Sequence, residues 1–386
     1  MLTPGTRDGA AADRRVLCEA DGGAMTLSRM VVEGRTHLLT RKCAGDCLLL
    51  TPTKDEEVKQ IYLYCLGLAA LETGVEIHAF CAMGNHHHQC FTDVLGRHPW
   101  FTQRLHSALA RTMNVKRGRD GAFFEAAKKT NLVHCVGPED ILDKIVYVAM
   151  NPVAAGLVSS PEQWPGAISL PHMYAEGYEI VVKKPRRLFR QLRRDGTVSG
   201  VVLDAQNARH RARMHQKEKE PKPDVIRFKL ALPPGYEHMG RAKFVELLTD
   251  RLAIRGQEIA AERTAAHRPS PLGVDKILQQ DWREPPPSKK KQRAEKERAA
   301  AGPPGAAPKP EKPKRKSRDE DFLDPRIACA YDADARRHHR KALLTFWAEY
   351  RAAFEAFRRR KRGVLFPFGT LGPKRLYNVR VRREAA

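Results

Sequence analysis

The chain lacks any run of about 18 consecutive apolar residues, so we expect no membrane-spanning helix. Its first residues, MLTPGTRDGAAADRRV, contain no apolar signal core, so we do not expect export. Acidic residues are scarce: 45 Asp and Glu face 69 Lys and Arg, a formal net charge of +24. Such an excess favours a polyanionic partner. We therefore expect a cytoplasmic, nucleoid-associated protein that binds nucleic acid and no membrane.

Paired cysteine motifs are also missing. The eight cysteines are scattered, and only Cys43 and Cys47 lie close together in the sequence. No second pair completes a zinc set, and a disulfide framework is unexpected in a long chain without an export signal. We expect all eight cysteines to be reduced.

The sequence contains no internal repeat, but its character changes several times along its 386 residues. Residues 283–318 are rich in Pro, Lys, Arg and Ala, with few large apolar residues, which is typical of disorder. We predict five segments: a flexible N-terminal segment (1–33), a domain with alternating strand and helix patterns (34–175), a basic and partly helical linker region (176–270), a low-complexity basic linker (271–330), and a C-terminal Arg-rich helical segment that docks or binds DNA (331–386).

The segment 34–175 alternates between strand and helix patterns. A capping box at residues 53–56 opens a helix that Gly74 ends, and Pro138 begins a helix that we expect to end before Pro152. The predicted order is strand 35–41, helix to 73, strand 75–83, strand 86–92, helix 99–116, strand 131–135 and helix 138–151. This order predicts an α+β domain with a ferredoxin-like βαββαβ unit and an added C-terminal helix, the one that carries Tyr147. A last helix, at residues 336–362, has an apolar stripe and several Arg-rich faces.

Two histidines in the predicted hairpin are candidates for metal binding. His86 and His88 are two residues apart in a strand, so their imidazoles point to one face while His87 points to the other. By itself, an H-x-H pattern is explained better by a polar hairpin with surface histidines than by a metal site.

A tyrosine and an asparagine share one face of the last helix of this segment. Ile141, Ile145 and Val148 form an apolar stripe, and Tyr147 lies about 200° round the helix from Ile145, so it can face away from that stripe. Asn151 follows Tyr147 one turn later, on the same face. Taken alone, this pair is explained better by an interfacial tyrosine and a helix-terminal asparagine than by catalysis.

Together, the two patterns resemble the single-tyrosine HUH transposases, and most closely the REP-associated tyrosine transposase branch. The resemblance is carried by Met83-Gly84-Asn85-His86-His87-His88 and by the segment Y-V-A-M-N-P-V-A-A-G-L-V at residues 147–158, and it covers residues 33–175. This chain departs from the family pattern at Gly84, where proline is usual, at His87, where a bulky apolar residue is usual, and at Ala154, where arginine is common. His87 could therefore compete as a metal ligand.

The resemblance implies a chemistry for these residues. His86, His88 and Asn151 would hold Mg²⁺ or Mn²⁺, and the sequence does not decide between the two metals. Tyr147 would cleave single-stranded, hairpin-containing DNA, leaving a 5′-phosphotyrosine link and a free 3′-OH that permits rejoining.

The basic residues supply candidate DNA contacts. Arg104, Arg111, Lys116 and Arg117 lie on the second helix of the domain, and Arg186, Arg187 and Arg190 lie in a basic run after it. The tracts at 289–291 and 312–318 are candidate DNA-binding tails or solvated linkers. Trp100, Phe123 and Phe124 could stack on bases, although core packing is the better explanation for each.

Two alternative functions and the oligomeric state stay open. The chain could be a domesticated relative that binds hairpin DNA without cutting it, and the complete set His86, His88, Tyr147 and Asn151 argues against that. An HUH replication initiator or relaxase often has two tyrosines close together, whereas Tyr147 has no near tyrosine partner. The sequence does not distinguish a monomer from a homodimer.

Overall fold

The computed structural model describes residues 28–125, 130–185, 223–283, 328–329 and 332–383. The chain divides into two compact units: Gly34–Tyr331, and Met1–Glu33 with Asp332–Ala386. None of the described helices is long and apolar enough to cross a membrane. Apart from Arg283, the segment 283–318 that is predicted to be disordered lies outside the described residues. The basic tracts at 289–291 and 312–318 and the candidate contacts Arg186, Arg187 and Arg190 also lie outside them.

The larger unit is built on a mixed arrangement of helices and strands. Its elements are β1 (Arg35–Lys42), α1 (Glu57–Thr73), β2 (Glu76–Ala82), β3 (His86–Asp93), α2 (His98–Arg117), β4 (Asn131–Cys135), α3 (Pro138–Ala154), β5 (Ile180–Lys183), β6 (Val225–Phe228), α4 (Gly240–Ala265), α5 (Val274–Leu278) and β7 (Ala328–Cys329). The main sheet has the order β2-β3-β1-β4-β7, in which β1 to β4 pair antiparallel and β7 pairs parallel to β4. The predicted α+β class is therefore confirmed.

The two faces of this sheet carry different helices. Because side chains alternate along a strand, odd-numbered residues of β3 face one way and even-numbered residues the other. His87 contacts Tyr62 of α1 and His106 of α2, and Phe91 contacts Phe101 of α2. His88 contacts Tyr147 of α3. Helices α1 and α2 thus cover one face, and α3 covers the other.

The helix boundaries follow local hydrogen bonding. Gly74 ends α1 with a left-handed φ of 71°, as its position predicts. The capping box predicted at 53–56 does not form, because Asp55 accepts from the backbone N–H of Glu57 at 3.1 Å and α1 begins there. Helix α2 begins where the Asp93 carboxylate accepts from the backbone N–H groups of Arg97 and His98.

Helix α3 is longer than the sequence predicts. It continues through Pro152 to Ala154, so the expected stop before Pro152 is wrong. Proline lacks an N–H group, but in the last turn this removes only one intrahelical hydrogen bond. Asn151 consequently lies inside the helix, one turn from Tyr147, rather than at its end.

Residues 225–283 are helical in part, as the sequence predicts for 176–270, but they are also packed into the larger unit. Ile226, Phe244, Leu248 and Ile259 are buried in the same hydrophobic core as the main sheet. Strand β6 pairs with β5, and α4 packs on α3. The mixed sequence pattern conceals this packing because only one narrow side of α4 is apolar.

The smaller unit has its own core. Its elements are α6 (Ala333–Arg358), β8 (Leu365–Phe366), α7 (Gly372–Tyr377) and β9 (Arg380–Val381). Phe346, Tyr350 and Ala353 of α6 are buried with Phe366, and Met30 packs against them. The predicted C-terminal helix is present, beginning three residues earlier and ending four residues earlier than the interval 336–362.

Candidate functional site

The candidate site lies between β3 and α3, on the face of the sheet that α3 covers. The imidazole rings of His86 and His88 have centroids 4.8 Å apart. The ring of Tyr147 lies edge-on to His88, with 5.3 Å between centroids, and its side chain is 47% exposed. The Asn151 side chain lies close enough to the His86 ring to affect its pKa. The four predicted site residues are therefore brought together by one strand and one helix.

His87 does not belong to this group. Its ring is fully buried on the opposite face of the sheet, against Tyr62, His106 and Phe124. Its Nδ1 atom lies 2.5 Å from the amide nitrogen of Gln89, which also donates to the Tyr62 hydroxyl. The sheet itself separates His87 from the site, which argues against its competing as a ligand.

Burial keeps both site histidines neutral. It lowers the pKa of His86 to about 4, with a further contribution from the nearby Lys42 ammonium. It lowers the pKa of His88 to about 3, with a smaller contribution from His86. A neutral imidazole has a lone pair on one ring nitrogen, and this is the form that binds a divalent cation.

The donor set fits a divalent cation. His88 is 3% exposed, and its buried Nε2 atom has no hydrogen-bond partner within the described part of the chain. An unpartnered buried nitrogen beside a second imidazole and an amide is suited to a metal ligand. Groups of three or more His, Cys, Asp and Glu side chains suited to a metal are absent from the described residues, so the site depends on two imidazoles and the Asn151 amide.

Two further residues contact the histidines. Thr40 of β1 lies directly across from His88, and its Oγ1 is 2.8 Å from His88 Nδ1. Asn85 precedes β3, and its Oδ1 is 2.7 Å from His86 Nδ1. The sequence analysis did not identify either residue as a contact of the site histidines. Asn85 could have been noticed in the G-N-H-H-H motif, whereas Thr40 becomes visible only through the register of β1 on β3.

The residues that directly follow Asn151 hold α3 in place. Gly156 has a φ of 72°, and a Cβ atom there would collide with the Arg263 guanidinium of α4. The carbonyl oxygens of Gly156 and Leu157 accept from the backbone N–H groups of Leu272 and Gly273, at 3.0 and 2.9 Å. The segment after Asn151 is thus the attachment between α3 and the chain that follows α4.

The other end of α3 is attached to the same segment. Glu139, in the first turn of α3, accepts from the Tyr236 hydroxyl at 2.6 Å and pairs with Arg251 of α4 at 3.0 Å. Both ends of the helix that carries Tyr147 are therefore bound by residues 236–273.

The predicted DNA contacts on α2 do not lie with this group. Helix α2 covers the His87 face of the sheet. Arg104 pairs with Glu72 at 3.2 Å, Lys116 with Asp55 at 3.0 Å, and Arg117 donates to the Thr51 carbonyl at 2.7 Å. Arg111 is exposed. A role for these four in DNA binding stays a prediction.

Phe123 and Phe124 are buried, as core packing requires.

Comparison with known proteins gives weak structural likenesses, two of them to proteins described as transposases. No protein-family model matches the chain, and no curated protein matches it. The structure of a REP-associated tyrosine transposase bound to a REP hairpin matches with a TM-score of 0.31 and 17% identity, over 40% of this chain and 88% of the other. A protein from Deinococcus radiodurans R1, provisionally described as a transposase, matches with a TM-score of 0.24 and 19% identity, over 32% and 95%. Both likenesses are too weak to support a function, which must be argued from the geometry of the site.

Proposed function

We propose that this chain is a transposase-like enzyme that cleaves and rejoins single-stranded DNA through a covalent link to Tyr147. The observation that carries the proposal is the position of an exposed tyrosine beside two neutral histidines, one of which has a buried nitrogen without a hydrogen-bond partner among the described residues. A surface hairpin with incidental histidines would leave them in water and away from a phenol.

His86, His88 and Asn151 would hold the cation, Mg²⁺ or Mn²⁺. When bound, the cation supplies charge neutralisation at a phosphodiester. The chain itself supplies position: β3 fixes the two imidazoles, and α3 fixes both Asn151 and Tyr147. The attachments at Glu139 and Gly156 limit movement of α3 relative to the sheet.

Tyr147 acts as the nucleophile in this proposal. Its phenol oxygen attacks the phosphorus atom, and the bond from phosphorus to the 3′ oxygen breaks. The phenol loses its proton to solvent, and the departing 3′ oxygen takes one up. The products are a 5′-phosphotyrosine and a free 3′-OH. Attack by a 3′-OH on the phosphotyrosine reverses the step, so rejoining needs no nucleotide cofactor.

The ferredoxin-like assignment belongs to this proposal. It is supported by the strand order β4-β1-β3-β2, by the antiparallel pairing of all neighbours in it, and by α1 and α2 on one face. In that reading α3 is the added helix on the open face of the sheet.

A second part of the proposal concerns the smaller unit, which we assign to DNA binding. Residues 332–386 contain fifteen Lys or Arg and five Asp or Glu, an excess of ten positive charges. We call the exposed side of α6 that carries Arg337, Arg340, Lys341, Arg351 and Arg358 the basic face. Arg340, Lys341 and Arg351 form no ion pair with any described residue.

Nucleic acid suits the basic face better than an anionic membrane does. A helix that lies in a membrane interface needs a free apolar side. The apolar side of α6 is occupied by Phe366 and Met30. Phosphate contacts by the remaining, positively charged side would release counterions from DNA. Action at the nucleoid, on hairpin-containing element ends, is part of the same proposal.

The test is formation of a covalent adduct. Labelled single-stranded hairpin DNA is incubated with the protein and Mg²⁺ or Mn²⁺, and denaturing gels are examined for a protein–DNA species. We expect the adduct with the unsubstituted protein and with Tyr178→Phe, a matched change outside the site, and its loss in Tyr147→Phe. Equal adduct from Tyr147→Phe would overturn the proposed nucleophile.

The alternative function is hairpin binding without cleavage by a domesticated relative. It would give specific binding of the hairpin but no adduct with any metal.

A further inference from the structure

Each site histidine has one ring nitrogen held by a neighbouring side chain, and this determines what the other nitrogen can do. A neutral imidazole carries its proton on either Nδ1 or Nε2. The hydrogen bond made by one nitrogen therefore decides whether the other offers a proton or a lone pair. Only a nitrogen with a lone pair can bind a cation.

At His86 the neighbour is a carbonyl oxygen. Asn85 Oδ1 lies 2.7 Å from His86 Nδ1. A carbonyl oxygen only accepts hydrogen bonds, so Nδ1 must carry the proton. The backbone of Asn85 is itself fixed, because its carbonyl accepts from the Cys43 N–H at 2.8 Å. The lone pair of His86 is consequently on Nε2.

At His88 the neighbour is a hydroxyl group, which could either donate or accept. Thr40 Oγ1 lies 2.8 Å from His88 Nδ1, while His88 Nε2 is buried without a hydrogen-bond partner among the described residues. If Thr40 donated, Nε2 would carry a proton buried without an acceptor, an arrangement that is rare in folded proteins. If Thr40 accepts, Nδ1 carries the proton and the buried Nε2 has a lone pair.

We infer that Thr40 and Asn85 are positioning residues that hold His88 and His86 in the Nδ1–H form, so that both Nε2 atoms are available to a divalent cation. The role given to the cation rests on the proposed function, but the proton positions themselves do not. Hydrogen bonds of this kind behind a metal ligand typically change metal affinity ten- to a hundredfold when they are removed.

The chain provides a matched control for Thr40. Thr36 is on the same strand and the same face, and its hydroxyl bonds Thr92 at 2.7 Å rather than a site histidine. Thr40→Val and Thr36→Val each replace one hydroxyl with a methyl group on β1. Thr40→Ser restores the hydroxyl at position 40.

The first measurement uses the metal-free protein at neutral pH. Long-range nitrogen–proton NMR spectra distinguish a ring nitrogen that carries a proton from one with a lone pair. We expect the Nδ1–H form for His86 and His88 in the unsubstituted protein, in Thr40→Ser and in Thr36→Val. In Thr40→Val we expect His88 to gain a population of the Nε2–H form while His86 is unchanged.

The second measurement is Mn²⁺ affinity by titration calorimetry, without DNA. We expect Thr40→Val to bind Mn²⁺ at least about tenfold more weakly, Thr40→Ser to recover most of the loss, and Thr36→Val to differ from the unsubstituted protein by less than about threefold. Thermal unfolding of the two valine variants shows whether a loss comes from unfolding.

The inference is overturned if His88 has the Nε2–H form in the unsubstituted protein, or if Thr40→Val matches Thr36→Val in both measurements. The two failures are separable. A protein that binds no Mn²⁺ contradicts the proposed function, and the NMR spectra of the metal-free protein still decide the proton positions.

Discussion

The ring of His88 meets the ring of Tyr147 edge to face, with 5.3 Å between their centroids. The two residues come from a strand and a helix that pack across one face of the main sheet. This contact places an exposed phenol beside the buried Nε2 atom of His88, for which the described part of the chain supplies no hydrogen-bond partner. In the proposed function the two side chains have different tasks, cation binding for His88 and nucleophilic attack for Tyr147.

Substitution should separate these two tasks. Tyr147→Phe keeps the ring contact with His88 and removes only the hydroxyl, so we expect Mn²⁺ affinity within about threefold of the unsubstituted protein and no covalent adduct. His88→Ala removes a ligand, so we expect at least about a hundredfold weaker Mn²⁺ binding and no adduct. Calorimetry and denaturing gels provide the two readouts. Unchanged Mn²⁺ binding by His88→Ala would exclude this histidine as a ligand.

Gly156 should be intolerant of alanine for two reasons. Its left-handed φ of 72° strains any residue with a Cβ atom, and that atom would displace Arg263. We expect Gly156→Ala to lower the free energy of unfolding by about 1–3 kcal/mol, measured with urea, because backbone strain contributes about 1–2 kcal/mol and Arg263 can move aside only by weakening its hydrogen bond to the Pro269 carbonyl. It should also reduce adduct yield, because α3 loses part of its attachment.

Gly177 is the matched control for this change. It has a similar φ of 76° and open space around its Cα atom. We expect Gly177→Ala to lower the free energy of unfolding by about 1 kcal/mol, from backbone strain alone. Equal losses in the two variants would mean that the approach of Arg263 to Gly156 contributes nothing.

His78 should make stability depend on pH. It is fully buried, with Nδ1 3.0 Å from the Ala231 carbonyl and Nε2 2.7 Å from the Thr92 hydroxyl, and burial lowers its pKa to about 4. The unfolded chain takes up a proton near pH 6.5, whereas the folded chain does not until about pH 4. The stability from His78 is therefore complete above pH 6.5 and is lost as pH falls toward 4.

We expect His78 alone to lower the free energy of unfolding by about 2 kcal/mol between pH 7 and pH 5. Urea unfolding at the two pH values measures the difference. His78→Asn should be less stable at pH 7 but should show a smaller pH dependence, while His172→Asn, at an exposed histidine, should keep the full dependence. An unchanged pH dependence in His78→Asn would show that other groups cause it.

The basic face should determine part of the salt dependence of DNA binding. Changing Arg340, Lys341, Arg351 and Arg358 together to Gln removes up to four phosphate contacts. Fluorescence anisotropy with labelled single-stranded DNA should then show that the slope of log affinity against log salt decreases in magnitude by up to about 3. These residues lie outside the candidate site, so Mn²⁺ affinity should not change.

A control set takes four exposed cations of the larger unit, Lys229, Lys243, Arg268 and Lys276, to Gln. We expect a smaller change of slope from this set. An equal or larger change would indicate that net charge, rather than the basic face, governs binding. Binding of the unsubstituted protein to phosphatidylserine vesicles but not to DNA would contradict nucleic acid as the partner.

Much of the local structure of the larger unit could be predicted because its signals are local. Strand β4 has the predicted bounds, and Gly74 ends α1 where its freedom to adopt positive φ allows. The face shared by Tyr147 and Asn151 follows from helical periodicity. The two wrong predictions about helix boundaries also have local causes. Helix α3 tolerates Pro152 in its last turn. At the start of α1, Asp55 accepts a backbone hydrogen bond, and the expected capping box of residues 53–56 does not form.

The packing of residues 225–283 could not be predicted. Strand β6 is only four residues long, and α4 presents few apolar residues to the core. Their burial depends on a surface made by α1 and α3, which a pattern in α4 alone does not reveal. The candidate contacts Lys116 and Arg117 similarly looked free in the sequence, but they have acidic and carbonyl partners supplied by another segment.

The sequence by itself determined which residue types are available and which of them share a face: His86 with His88 in a strand, and Tyr147 with Asn151 in a helix. Those are consequences of repeat geometry within one element. Only the tertiary structure decided that the two faces meet, that the sheet separates His87 from them, and that Thr40 lies against His88. The reason is physical: strand register and helix docking are set by contacts between distant segments, and no local pattern encodes them.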